Sequence, residues 1–248
     1  MKMIFNKILK KIKNLVRFFL KFFGLKLTIY QNPIYAKIIE NLNITLVLDV
    51  GAHVGGFANS LINSGYKNRI VSFEPIEKSY INLLSFSRKY DNWMIHPRCA
   101  IGEKSRKTFI NISGNDGMSS SILEMGEKHI KSAPKSIYIG KQKVEVITID
   151  SIFKKYYKKR DKVLLKIDVQ GFEDQVIEGA KISLNDISAI KLELSLANLY
   201  EGDKIYKYYL DKIESLGFVI WDLQPGFRDK STGRLLQFDA IFVREEYQ

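Results

Sequence analysis

The pattern of apolar and polar positions changes character near residue 44. Before it, apolar side chains recur every three or four positions, at Phe5, Ile8, Ile12, Leu15, Phe19, Phe22 and Phe23. Lys7, Lys10, Asn14, Arg17 and Lys21 follow another face. That period predicts an amphipathic helix, with Gly24 as its stop. After it, short continuous apolar runs over 46–50, 163–168 and 189–196 read as strands buried on both faces. Further strands are expected over 69–73, 93–101, 107–112, 144–149, 218–223 and 236–244. Helices are expected over 57–64, 78–89, 151–158, 172–184 and 204–216, with Asp150 as the N-cap of the third. Residues 113–142 show no clear period and read as a long loop with one short helix at most. Strands alternating with helices give an α/β fold, a doubly wound and mostly parallel sheet with helices on both faces. Ligands in such sheets sit beyond the carboxyl ends of the strands. Four polar or glycine-rich strand ends should line that crevice: Asp49-Val50-Gly51, Glu74-Pro75, Asp168-Val169-Gln170-Gly171 and Glu193.

The 248 residues, 46% apolar and 27% charged, suffice for one large domain with an extension, divided here at 1–43 and 44–248. The net charge of +12 is unevenly held: residues 1–30 carry eight Lys or Arg and no acid, so the rest carries 12 − 8 = +4. This is not a uniformly basic nucleic-acid surface, and no DNA partner is expected. The basic run at 154–162, with Tyr156 and Tyr157, reads as a solvated helix face. No stretch near 18 residues is free of charge, so no span is expected, and Lys and Arg interrupt any signal-peptide core. The first 27 residues therefore read either as a helix on an anionic leaflet or as one docked on protein, a homodimer partner included. The expected location is cytoplasmic, peripheral on the inner membrane face if the helix meets lipid. The single cysteine, Cys99, excludes an internal disulfide and a CxxC site.

The candidate chemistry begins at Asp49-Val50-Gly51-Ala52-His53-Val54-Gly55-Gly56-Phe57. Gly51 and Gly55 allow a tight turn and close approach to a ligand. A dinucleotide fingerprint has glycine where Ala52 stands, and Asp49 would repel phosphate. An acid there suits a ligand bearing an ammonium and a cationic centre. Glu74 ends the next strand, where a carboxylate can accept both hydroxyls of a ribose. Together they point to a nucleoside without pyrophosphate, a description that S-adenosylmethionine fits. Asp168 faces the crevice from the other side, able to orient the cofactor, bind a metal or take a proton from a hydroxyl. Glu173 complements a helix dipole. His53 and His129 are further base candidates, ranked after Asp168; His96 reads as structural.

These motifs, with Ala100-Ile101-Gly102, Ser119-Ser120-Ser121, Val146–Asp150, Gly179-Ala180 and the closing Phe238-Asp239-Ala240, resemble the FkbM-type methyltransferases over about residues 44–244. The resemblance implies a class I, Rossmann-like S-adenosylmethionine fold of seven strands, the last antiparallel. It implies O-methylation of sugars or other hydroxylated metabolites, here expected on a glycan precursor of surface polysaccharide. The cofactor residues expected are Asp49, Gly51, Ala52, His53, Gly55, Phe57, Glu74, Pro75, Ala100 and Asp168. Two positions depart from the common pattern: His53 stands where Asn is frequent, and Gln170 where Glu is frequent. A divalent metal stays open. So do an RNA or other small-metabolite acceptor, a dehydrogenase, and a membrane-associated scaffold with a degenerate site. The chain has no Pro-Pro turn for base amino-group methylation, and Cys99 lies in an expected strand rather than as a nucleophile.

Overall fold

The computed structural model describes residues 12, 14–16, 18–21, 23–24 and 33–247. It divides into two units, residues 1–32 and 33–248. In the first, residues 12, 14–16 and 18–21 are helical. Gly24 follows with φ +69° and its N–H on the Lys21 carbonyl, 3.1 Å, a left-handed helix stop. Phe5, Ile8, Phe22, Lys7, Lys10 and Arg17 of the expected stripe lie outside the described residues. Among the described residues no helix is long and apolar enough to cross a membrane.

The second unit opens with helix α1 (Ile34–Asn41), then β1 (Leu46–Val50), α2 (Gly56–Asn63), β2 (Arg69–Phe73), α3 (Glu77–Ser87) and β3 (Trp93–Ile95). A small excursion follows: β4 (Ala100–Ile101), β5 (Arg106–Ser113), α4 (Glu127–Ser132) and β6 (Tyr138–Ile147). The chain then returns through α5 (Ile149–Tyr156), β7 (Val163–Ile167), α6 (Glu173–Glu178), β8 (Ile187–Ser195), α7 (Tyr206–Ser215), β9 (Phe218–Pro225) and β10 (Gln237–Arg244). The compact unit begins at Pro33 rather than at residue 44. Ile38 and Ile39 of α1 are buried and join Val47, Leu61, Ile70 and Leu164 in one core.

Seven strands form one sheet in the order β3-β2-β1-β7-β8-β10-β9, parallel except for β10, which runs antiparallel to both β8 and β9. This is the seven-stranded sheet with its last strand antiparallel that the resemblance implied. Side chains alternate across each strand: Leu46, Leu48 and Val50 of β1 enter one core, Val47 the other. Burial on both faces is why these strands read as unbroken apolar runs.

The expected strand over 93–101 is instead two strands in different sheets, since β3 pairs with β2 and β4 with β6. Pro97 between them cannot donate to a ladder. β4, β6 and β5 form a second, three-stranded sheet. β6 starts six residues before the expected 144 (144 − 138), held by antiparallel pairs such as Ile112 with Gly140 although Ile139, Gly140 and Lys141 are exposed. Thr148, not Asp150, caps α5, its hydroxyl accepting the Ser151 N–H at 3.1 Å. Asp150 instead accepts the N–H groups of Ile182 and Ser183. That clasp follows the end of α6 at Glu178, where the longer helix expected over 172–184 breaks.

Candidate functional site

The parallel strands β1, β2, β7 and β8 all end at one cavity of about 530 Å³. Its first wall is the turn after β1. Gly51 sits at φ +75°, and a Cβ there would run into the backbone carbonyl of Asp168; Gly55, at φ +89°, leaves no room against the Trp93 ring. Gly51 lets the turn lie against the residue that follows β7, and Gly55 lets it close onto Trp93 of β3.

Lys166, near the end of β7, is nearly fully buried beneath this turn. Its Nζ lies 2.8 Å from the Gly51 carbonyl oxygen, 3.1 Å from Asp49 Oδ1 and 3.5 Å from Asp168 Oδ2. Burial pushes the ammonium down, but the carboxylates of Asp49 and Asp168 outweigh it and hold Lys166 above its ordinary value. Asp49 is completely buried and does not line the cavity. Its other oxygen accepts from Ser72 Oγ at 3.0 Å, and Ser72 accepts from the Trp93 indole at 2.9 Å. Asp49 thus acts on the cavity through Lys166, rather than touching a ligand itself.

The second wall is Glu74, 4% exposed. Its two oxygens accept the backbone N–H groups of His53 and Ile76, each at 2.8 Å. Burial pushes the carboxyl up to about 7, against the pull of those bonds and of Lys166. A carboxylate has four acceptor positions, so two remain for a ribose. Pro75, Ile76, Ala100 and Ile101 line the adjoining space with apolar surface suited to a nucleobase.

The third wall is polar and charged. Gln170 follows β7 in the left-handed region, φ +58°. Its Nε2 donates to Asp168 Oδ1 (2.9 Å) and to Glu193 Oε2 (2.6 Å), while its Oε1 accepts from the Tyr200 hydroxyl (2.8 Å). Gln237 Nε2 donates to the same Glu193 oxygen at 2.9 Å. Lys191 Nζ meets Asp239 Oδ1 at 2.6 Å. Burial pushes Asp168 up, but Lys166, the Gln170 amide and Lys191 together bring it below the usual carboxylate range. Glu193 is driven the other way, well above that range, by burial and then by Asp168, Asp239 and Glu173, with Lys191 opposing.

Of the expected residues, Gly51, Ala52, His53, Phe57, Glu74, Pro75, Ala100 and Asp168 line this cavity; Asp49, Gly55 and His129 do not. His53 Nε2 bonds the Asp116 carbonyl at 2.9 Å, tying the loop after β5 to the cofactor turn. His129 is buried beside the Tyr200 and Phe227 rings, at 5.2 and 5.7 Å, and burial pushes it down to about 4. Packed there as a neutral ring, it is removed from the list of bases. Cys99 lines the cavity, but burial pushes its thiol up to about 12, far from a thiolate nucleophile. Sequence reasoning missed Lys191, Asp239 and Tyr35. Lys191 and Glu193 had a readable signal: charges two apart in an apolar strand face the same side.

The residues present fit S-adenosylmethionine, with a glycine turn, a ribose acid and an apolar slot in one cavity. For a metal, no group of three or more His, Cys, Asp or Glu among the described residues is placed to hold an ion. Lys166 and Lys191 supply the positive charge facing Asp168 and Asp239.

The sequence matches the family model described as Methyltransferase FkbM domain over residues 49–220. No curated protein matches it. Among solved structures it is similar to magnesium protoporphyrin IX methyltransferase from Synechocystis PCC 6803 with bound S-adenosylmethionine. The identity is 12% over 86% of this chain and 76% of that one, with a TM-score of 0.46. It is also similar to an rRNA methylase from Streptococcus thermophilus, at 10% identity over 88% of this chain and 99% of that one, TM-score 0.44.

Proposed function

The chain belongs to the FkbM methyltransferase family, and we propose that it methylates a hydroxyl oxygen of a sugar, nucleotide sugar or glycan precursor in surface-polysaccharide assembly. The observation that carries this reading is the third wall. Asp168, Gln170, Lys191, Glu193 and Asp239 set carboxylates, an amide and an ammonium side by side along one face of the cavity. Such alternating donors and acceptors suit the closely spaced hydroxyls of a sugar.

S-adenosylmethionine supplies, when bound, an electrophilic methyl group on a cationic sulfur. Glu74 accepts the ribose hydroxyls in charge-assisted bonds. Asp168, kept ionised by Lys166 and the Gln170 amide, would offer negative charge in the cavity to a cationic centre. The glycine turn and the third wall hold two reactants in one pocket, and such positioning supplies much of the rate of a bimolecular transfer. The test is incubation with S-adenosylmethionine and free or nucleotide-linked sugars, followed by mass spectrometry. A sugar carrying one added methyl supports the reading; methylation of RNA but of no sugar overturns it.

Peripheral attachment to anionic lipid through residues 1–27 belongs to the same proposal. Eight Lys or Arg with no acid stand in 1–30, and Ile12, Leu15, Phe18, Phe19 and Phe23 are each more than half exposed. Basic residues near an anionic surface contribute about 1 kcal/mol each. Lipid attachment would bring the cavity to membrane-borne glycan precursors.

A further inference from the structure

We propose that Glu193 is the catalytic base, taking the acceptor's hydroxyl proton on Oε1 while Gln170 and Gln237 hold Oε2 in place. This deepens the reading of a hydroxyl acceptor and rests on it. Glu193 stands on β8 with its side chain in the cavity. Both amide bonds fall on one oxygen, Oε2, at 2.6 and 2.9 Å. Oε1 has no hydrogen-bond partner among the described residues, and it is not among the buried atoms left unpaired. One carboxylate oxygen is therefore anchored and the other is free to meet a ligand. The orientation of Gln170 follows from chemistry: two carboxylate oxygens face Nε2, which only an NH₂ group can satisfy.

Asp168 is the contrasting partner. It shares the Gln170 amide but also faces two ammonium groups, and it is the weaker base of the pair. Around Glu193 stand Asp168 after β7, Glu173 on α6 and Asp239 on β10, with Lys191 on β8 and the Tyr200 hydroxyl reached through Gln170. Three carboxylates against one ammonium favour a proton on Glu193, the property a base needs near neutral pH. Two linked carboxyls driven in opposite directions mark separate roles.

The step balances. The hydroxyl oxygen forms the new C–O bond, the S–C bond breaks with its pair passing to sulfur, and the hydroxyl proton passes to Glu193 Oε1. The products are the methyl ether, neutral S-adenosylhomocysteine and a protonated Glu193. Gln170 is a positioning residue, acting through Glu193 and Asp168.

Two readouts test this, one without cofactor. In the cofactor-free protein with ¹³C-labelled glutamate, the signal lost in Glu193→Gln identifies Glu193. It is expected to titrate above the ordinary glutamate range and to move down in Asp239→Asn, which removes a like charge. Titration in the ordinary range overturns the assignment whatever the acceptor. In turnover with the sugar identified by mass spectrometry, Glu193→Gln keeps both anchoring bonds through its amide oxygen. It is expected to lose at least about a hundredfold in kcat, the lower range for a positioned base, with S-adenosylhomocysteine affinity within twofold. The rise of wild-type kcat with pH should vanish in this variant. A variant with wild-type kcat and the same pH profile overturns the base role and leaves the hydroxyl-acceptor reading standing. If wild-type protein methylates no sugar, that reading fails, and the titration still decides the state of Glu193.

Discussion

Replacing Lys166 by Met keeps an unbranched side chain, one atom shorter, and removes the charge on which the cavity floor depends. Lys166 Nζ lies 3.1 Å from a carboxylate oxygen of Asp49, and neither side chain is more than 5% exposed. At an effective dielectric of about 20, two unit charges at that separation attract by about 5 kcal/mol. Part of this offsets the cost of burying both ions, so the net worth of the pair is much smaller. Removing one partner is a different perturbation, because it leaves the Asp49 charge buried with only the Ser72 hydroxyl as its bonded neighbour. Breaking a buried pair in this way costs about 3–5 kcal/mol. The Gly51 carbonyl loses a 2.8 Å bond as well. Lys166→Met should therefore lower the unfolding free energy by about 3–5 kcal/mol in urea or guanidinium titrations with unchanged slope. Adding Asp49→Asn, which keeps an acceptor for Ser72, should recover more than half of the loss. A Lys166→Met protein within about 1 kcal/mol of wild type, or a double variant no better than the single one, would refute the claim that Lys166 exists to neutralise Asp49.

Glu74, pushed up to about 7 by burial, is partly protonated near neutrality, and binding ribose hydroxyls demands its ionised form. S-adenosylhomocysteine affinity should rise about tenfold between pH 6 and 8 in calorimetry, and that rise should be absent in Glu74→Gln. His129 has a folded value near 4, below its unfolded one, so it binds fewer protons folded than unfolded. Its contribution to stability should be lost as pH falls from about 6.5 to 4; His129→Phe should show a smaller acid-side fall in melting temperature and unchanged turnover. Gly51→Ala forces a side chain into the left-handed region and against the Asp168 carbonyl. It should cost at least about 1–2 kcal/mol and weaken cofactor binding, measured by denaturation and calorimetry. Full-length protein should float with anionic liposomes at low salt and less at high salt, while a chain starting at Thr28 should not; equal flotation of both removes lipid contact from residues 1–27.

The parallel sheet was legible because its strands are buried on both faces, so the apolar run Leu46–Val50 matches its structural bounds and the run over 163–168 overshoots its strand, Val163–Ile167, by one residue. The excursion from β4 to β6 was legible only in part: the expected strand over 107–112 lies within β5, but the first six residues of β6 were missed. The first half of β6 is largely exposed, so its strand state is decided by pairing with β5, from Ser113 with Tyr138 to Ile110 with Gln142. The compact unit begins at Pro33, before the division read at 43, because α1 adds Ile38, Ile39 and a short apolar face to the core. In the site, the glycine turn and Glu74 were readable from residue type at strand ends. Asp49 and His129 carried the expected residue type but are packed where they do not line the cavity. Asp239 was invisible singly, since its pairing with Lys191 crosses from β8 to β10.

The central claim is that the cavity at the strand ends binds S-adenosylmethionine through Glu74. Calorimetric titration of full-length protein with S-adenosylmethionine, alongside a nicotinamide dinucleotide and the Glu74→Ala variant, addresses it directly. The account predicts one site for S-adenosylmethionine and none for the dinucleotide. Glu74→Ala should weaken binding by about 2–4 kcal/mol through two lost charge-assisted bonds, a factor of roughly thirty to a thousand in affinity at 1.4 kcal/mol per tenfold. No heat with millimolar S-adenosylmethionine, preference for the dinucleotide, or a folded Glu74→Ala protein with undiminished affinity would contradict it.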